Sequence, residues 1–251
     1  MKNKNSTYVF SLFKNLYVKT PEGSIDVNQL IEFVKYPYLE SKIDHLRSLD
    51  QVEYKNQKKS LPAVTLSGVF SGRKNSCLIE HSGLMQIDFD AVENYNEHRK
   101  ALIEDPYTYV LFQSPSGKGI KMLVKVYPSV DTHKAQFFAL EKYYLEEYRL
   151  KMDTGTKDVT RTMLLSYDPD LYCNPFSETF KKVIEQKKYK QNKIVLNTVK
   201  DQKAIYHTQN RLEGREEYLV NKLCDSVKER KIDFQSPHLD RSHRFNSRTM
   251  A

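Results

Sequence analysis

Cysteine is scarce in this 251-residue chain: Cys77, Cys173 and Cys224 are scattered, odd in number and without the close spacing of a zinc knuckle. That excludes a disulfide framework and fits a reducing compartment, so a cytoplasmic protein is expected. Long apolar runs are missing too. No stretch approaches the roughly 18 apolar residues of a membrane span, and Met1 to Thr7 is polar, without the core of a signal peptide. No membrane partner is expected. There is no internal repeat and no Gly-x-Ser-x-Gly elbow. His45, His81, His98 and His133 form no close pair in the sequence, so zinc-hydrolase and nickase readings lack their ligands.

What is present is a globular composition, 39% apolar and 29% charged, in a chain long enough for one large or two small domains. The net charge is +8, and its placement matters more than its size. Residues 1–180 carry 23 basic and 23 acidic side chains, whereas residues 181–251 carry 17 basic and 9 acidic. A neutral body with a basic tail points to a polyanion, nucleic acid before membrane, because no amphipathic apolar stripe accompanies the charge. The plainer alternative is a solvated Lys-rich linker.

Hydrophobic periodicity divides the body. Tyr8 to Phe13 is expected to be a strand. Asp26 is placed to cap a helix over Val27 to Val34, and Leu39 to Leu49 has helical spacing. The polar run Gln51 to Ser60 is expected to be a loop. Leu84 to Asp90 is an apolar run ending in aspartates, a strand that stops at a site. Asn94 is placed to cap a helix ending before Asp105-Pro106. Strands are expected at Tyr107 to Phe112 and Ile120 to Val126, joined by turn chemistry at Ser114 to Gly119. A helix over His133 to Tyr148 and a last strand at Arg161 to Ser166 complete the order strand, helix, strand, strand, helix, strand. The fold expected is α+β: a ferredoxin-like (RRM-like) palm over residues 61–180, an N-terminal α/β module over residues 1–60, and a basic, helical extension over residues 181–251. Its helix is expected from Glu213 to about Arg230.

Two motifs carry chemistry. In Gln86-Ile87-Asp88-Phe89-Asp90, strand alternation puts Asp88 and Asp90 on one face and Ile87 and Phe89 on the other. Carboxylates about 6–7 Å apart at Cβ can hold hard divalent cations. A pair of such ions assists phosphoryl transfer. In Ser114-Pro115-Ser116-Gly117-Lys118-Gly119-Ile120-Lys121, glycines let backbone N–H groups converge on an anion, and Lys118 and Lys121 add charge. It is not a Walker A loop, which needs glycine where Phe112 stands and Ser or Thr where Gly119 stands. Further on, Asp153 is placed to return to the carboxylate pair, Arg161 to meet phosphate in bidentate fashion, and Asp168-Pro169-Asp170 to make a turn.

Taken in order, Leu61 to Thr65, Ser67 to Phe70, the Ile87 to Asp90 strand, the Ser114 to Lys121 hairpin and the Lys157 to Asp170 stretch resemble the primase-like domain of virulence-associated-protein-E-type replication proteins. That family is a branch of the archaeo-eukaryotic primase and primase–polymerase superfamily, and the resemblance spans roughly Tyr8 to Phe180. It implies a nucleotidyltransferase of DNA replication using two Mg²⁺ or Mn²⁺ ions. Asp88, Asp90 and Asp153 would hold the ions, with Asp158 competing for the third place. Ser114, Ser116, Gly117, Lys118, Gly119, Lys121, Arg161 and Arg73 would bind the nucleotide. Gly119-Ile120-Lys121 stands where the superfamily has Ser-x-His. The implied partners are single-stranded DNA template, nucleoside triphosphates and a separate helicase. The alternative expectation is a nucleic-acid-binding replication protein that keeps the fold without turnover. A third, an RNA-recognition module, calls for aromatics where the central strand carries Asp88 and Asp90.

Overall fold

The computed structural model describes residues 8–185. The chain divides into two units, residues 1–191 and 192–251, and every described residue belongs to the first. Cys224, the helix expected over Glu213 to Arg230 and most of the basic tail lie outside the described residues.

The fold is α+β, with antiparallel sheets and five helices among the described residues. β1 (Val9–Phe13) and β2 (Gly23–Asp26) form a hairpin. Asp26 then starts α1 (Val27–Lys35): its carboxylate accepts from Gln29 N while the Gln29 side chain accepts from Asp26 N, a capping box. The periodic positions Val27, Leu30 and Val34 are buried. α2 (Glu40–Ser48) buries Ile43 and Leu46. The polar run expected as a loop is instead α3 (Gln51–Gln57), followed by a 3₁₀ turn at Lys58–Ser60. The Asp50 carboxylate accepts from Val52 N and Glu53 N, and Tyr54 packs against Ile43, Leu46 and Leu61. Capping and one aromatic contact suffice to hold this short helix on its neighbour.

β3 (Ala63–Thr65) pairs with β1, and β4 (Gly68–Phe70) with β5 (Leu78–His81). Then come β6 (Leu84–Phe89), α4 (Tyr95–Glu104), β7 (Thr108–Gln113), β8 (Ile120–Val126) and α5 (Val130–Tyr148), in the expected order. Asn94 holds the N-cap position of α4, but in the left-handed region (φ 49°) and without a side-chain cap bond. Short strands β9 (Met163–Leu164), β10 (Tyr172–Cys173) and β11 (Thr179–Phe180) follow.

Two larger sheets result, one ordered β2-β1-β3-β9 and one ordered β10-β7-β8, with β6 on the far side of β8. β11 runs parallel to the end of β8. Alternation along β6 and β8 explains the packing. Met85, Ile87, Phe89, Met122 and Val124 join the core under α4 and α5. Leu84 and Leu123 join Val110 and Phe112 against the first sheet and α1.

The last strand departs from expectation. Only Met163–Leu164 of Arg161 to Ser166 is strand, and it pairs with β3 in the first sheet rather than joining β6. Met163 and Leu165 are spent in the core between the sheets, and Leu165 N donates to Pro62 O. Beside β6 lies the link after α5 instead. There Leu150 and Met152 are buried, and Asp153 N donates to Asp88 O.

Candidate active site

β6 and β8 place the first pair of charges. Their register sets Asp88 directly opposite Lys121, so both side chains share a face. Lys121 Nζ donates to Asp88 Oδ2 at 2.5 Å, and the two side chains are only 8% and 12% exposed. Asp88 Oδ1 is buried and finds no partner among the described residues. Asp90, just past the end of β6, is an exposed residue whose carboxyl the surrounding protein partly shields from water. Partial burial pushes its carboxyl above the usual range. The charges of Asp88 and Asp153 push the same way, while Lys121 and Lys58 oppose them. The charges of two carboxylates thus reach Asp90.

Asp153 arrives on the link after α5. Its Oδ1 accepts from Gly155 N at 2.9 Å, capping a 3₁₀ turn, and its Oδ2 lies 3.6 Å from Arg161 Nη2. Asp158, the competitor for this role, faces α5 instead and pairs with Lys134 at 2.8 Å. The region thus takes Asp153, with Arg161 beside it.

The Ser114 to Gly119 hairpin closes on the same end of β6. Ser114 Oγ accepts from Gly119 N at 3.0 Å and meets Ser116 Oγ at 3.0 Å. Gly119 is required here: a Cβ would stand 2.5 Å from Phe89 O and 3.1 Å from Ser114 Oγ. Gly117 adopts φ 74°, and a Cβ there would meet Arg47 Nε at 3.3 Å. Lys118 is exposed on the turn. Arg73 is not part of the group. Its Nη1 donates to Leu16 O at 2.6 Å and it lies over the Phe13 ring, so the β1–β2 connection holds it.

Three residues of this region come from α2, α3 and the turn after it. Arg47 Nη2 donates to Gln113 Oε1 at 2.9 Å and lies within reach of the Ser114 and Tyr167 carbonyls, while its Nε is buried without a partner among the described residues. Burial pushes the Tyr54 hydroxyl up; its hydrogen bond with Ser116 and the Arg47 charge oppose this in part, and the charges of Asp90 and Asp88 add to it. Lys58 lies over the Tyr54 ring and its charge reaches Asp90. None of the three is legible in the sequence: Gln51 to Ser60 reads as a polar loop, and the apolar spacing of Leu39 to Leu49 says nothing about Arg47. The pattern Asp50-x-x-Glu53 was the available signal for α3. The Asp168-Pro169-Asp170 turn is as expected: Asp168 accepts from Asp170 N and, across the hairpin strand, from Gln113 N.

Does this donor set fit a divalent cation? The buried Asp88 Oδ1, partnerless among the described residues, leaves an oxygen that a hard cation could take, and the Asp88 charge reaches Asp90. A preassembled cage is absent: no group of three or more His, Cys, Asp or Glu that could hold a metal occurs among the described residues. Asp88 and Asp90 are the residues that would hold an ion, and Asp153 joins only by leaving Gly155 and Arg161. Histidine was expected to form no pair, yet His81 Nε2 and His133 Nδ1 meet at 3.1 Å, joining β5 to α5.

Residues 56–173 match the family described as BT4734-like, N-terminal domain. The matched segment is just under half of the chain. It takes in β6, the hairpin, Asp153 and Arg161, and leaves Arg47 and Tyr54 outside. This is a different family from the primase-like domain of virulence-associated-protein-E-type proteins, so that resemblance is corrected. No curated protein matches the chain, and no solved structure does. No helix among the described residues is long and apolar enough to cross a membrane.

Proposed function

We propose that the chain is a primase–polymerase-type nucleotidyltransferase of DNA replication. A 3′-hydroxyl on single-stranded template would attack the α-phosphate of a nucleoside triphosphate, forming the new phosphodiester and releasing pyrophosphate. What supports this reading is Asp88, paired with Lys121 and with Oδ1 partnerless among the described residues, together with Asp153, whose N donates to Asp88 O, and Asp90, on which the charges of Asp88, Asp153, Lys121 and Lys58 act. Carboxylates with a ring of cations are what a metal-assisted phosphoryl site needs: one group for the ions, the other for the phosphates. Mg²⁺ or Mn²⁺ held by Asp88 and Asp90 would supply charge stabilisation of the transferred phosphoryl group. In the hairpin, Gly119 N and the Ser114 and Ser116 hydroxyls bond to one another, Lys118 is exposed on the turn, and Arg47 ties the hairpin through Gln113 and the Ser114 carbonyl. The order β6-α4-β7-β8-α5, with β8 between β6 and β7, supports a ferredoxin-like palm up to its fourth strand.

A second reading is a nucleic-acid-binding protein without turnover. The Lys121–Asp88 pair favours it, because it already neutralises the central carboxylate. Primer extension on single-stranded DNA, with deoxynucleotides and with ribonucleotides, separates the two. Extension is expected in Mg²⁺ or Mn²⁺ and is expected to vanish in Asp90→Asn with thermal stability held or raised, since relief of like charge favours the neutral side chain. Undiminished extension by Asp90→Asn removes the metal assignment. No extension by the wild type under any of these conditions leaves the binding protein.

A further inference from the structure

We infer that Lys121 is a built-in counter-ion, which a divalent cation displaces from Asp88 so that its ammonium is freed for the phosphates of an incoming nucleotide. This rests on the proposed reading of the site. The ion pair is one-toothed: Nζ engages Oδ2 alone, and Oδ1 stays buried without a partner among the described residues. Asp90 has no ion pair among the described residues; the buried Lys121 ammonium that serves Asp88 also acts on it through its field, ahead of Lys58. A dication satisfies both carboxylates at once and, unlike an ammonium, imposes no N–H direction on either.

The displaced ammonium then needs an anion. Left buried and uncompensated it is costly. The next position along its face of β8 toward the hairpin is Gly119, whose backbone meets Ser114 Oγ. The hairpin turn itself contains no carboxylate. Triphosphate supplies the missing negative charge. Cation and nucleotide therefore assist one another: the cation alone leaves an orphan ammonium, and the nucleotide removes that cost. By linkage the help is mutual and equal in both directions.

The full-length protein provides the test. Amine acylation read by mass spectrometry is expected to leave Lys121 protected without divalent cation and to label it once Mg²⁺ is added. A non-hydrolysable deoxynucleoside triphosphate added with Mg²⁺ is expected to protect it again. Lys125, held by the Pro175 and Ser177 carbonyls, serves as the internal control and stays protected throughout. In parallel, Mn²⁺ titration followed by electron paramagnetic resonance is expected to show Lys121→Met binding Mn²⁺ roughly tenfold more tightly than wild type, a normal size for coupling between two ligands. Should that variant not fold, the labelling of the wild-type chain decides alone. Calorimetric binding of Mg²⁺ with Lys121 still protected overturns the exchange while sparing the metal site. Failure of both Mg²⁺ and Mn²⁺ to bind overturns the exchange and the metal site together.

Discussion

Neutralising Asp88 does two things at once, and they oppose each other. Spacing alone says that Asp88 and Asp90 repel, so removing either charge should relieve the fold. The ion pair with Lys121 reverses this for Asp88: an asparagine there strands a buried ammonium whose partner was 2.5 Å away. Breaking a buried pair from one side costs about 3–5 kcal/mol. Asp88→Asn is therefore expected to lower the urea midpoint by an amount in that range, with unchanged denaturant slope. Asp90→Asn, whose partly buried carboxyl is already pushed toward protonation, is expected not to. Equal stability of the two variants would remove the ion pair as a structural element. The contrast separates a carboxylate whose ion pair holds the fold from one without such a pair among the described residues.

At the scale of elements, helix caps and turn glycines were legible because each answers to a local rule: Asp26 before α1, Gly117 and Gly119 in the hairpin, the alternation along β6. The partners of elements were not. Nothing local says that Met163 and Leu165 face a first sheet built around residues 9–13 and 63–65, so the strand expected at Arg161 to Ser166 shrinks to Met163–Leu164 and pairs with β3. Tyr54 in a polar run gave no periodicity, and its role rests on contacts from Ile43 to Ser116 that only the tertiary fold makes. The same is true of His81 and His133, 52 residues apart. His81 Nδ1 accepts from Gly83 N, so its proton sits on Nε2 and is donated to His133 Nδ1; the remaining proton of His133 is on its buried Nε2. Burial, then the His81 charge, depresses His133 to about 3, with Lys134 adding to this and Asp158 opposing it. Burial lowers His81 as well. The unfolded chain takes up these protons near 6.5 and the folded one does not, so stability is complete above that pH and falls as pH drops through it. The expected loss for His133 is about 1.4 kcal/mol per pH unit. Thermal midpoints between pH 7 and 5 are expected to fall in the wild type and to fall less steeply in His133→Leu. Parallel slopes would clear the histidine pair of any part in acid sensitivity.

The whole molecule sets charge against charge. Residues 1–180 are balanced, and the entire excess of +8 lies in residues 181–251. The body does not end at residue 180. Phe180 is in the core under α5 and Ile184 N donates to Ala135 O, so the body runs at least to Glu185. Cutting after Glu185 keeps those contacts and removes 15 basic and 8 acidic residues, nearly all of the excess. If four or five of these cations neutralise phosphates, binding to single strands has a log–log salt slope near −3, from about −0.7 per contact. The truncated protein is then expected to bind a labelled single strand more weakly and with a flatter slope in fluorescence anisotropy across a salt series. Triphosphate affinity is expected to hold, because the proposed nucleotide-binding side chains all precede the cut. A linker that touches no nucleic acid predicts parallel lines for the two proteins, and that result would return template binding to the cations around Asp88 alone.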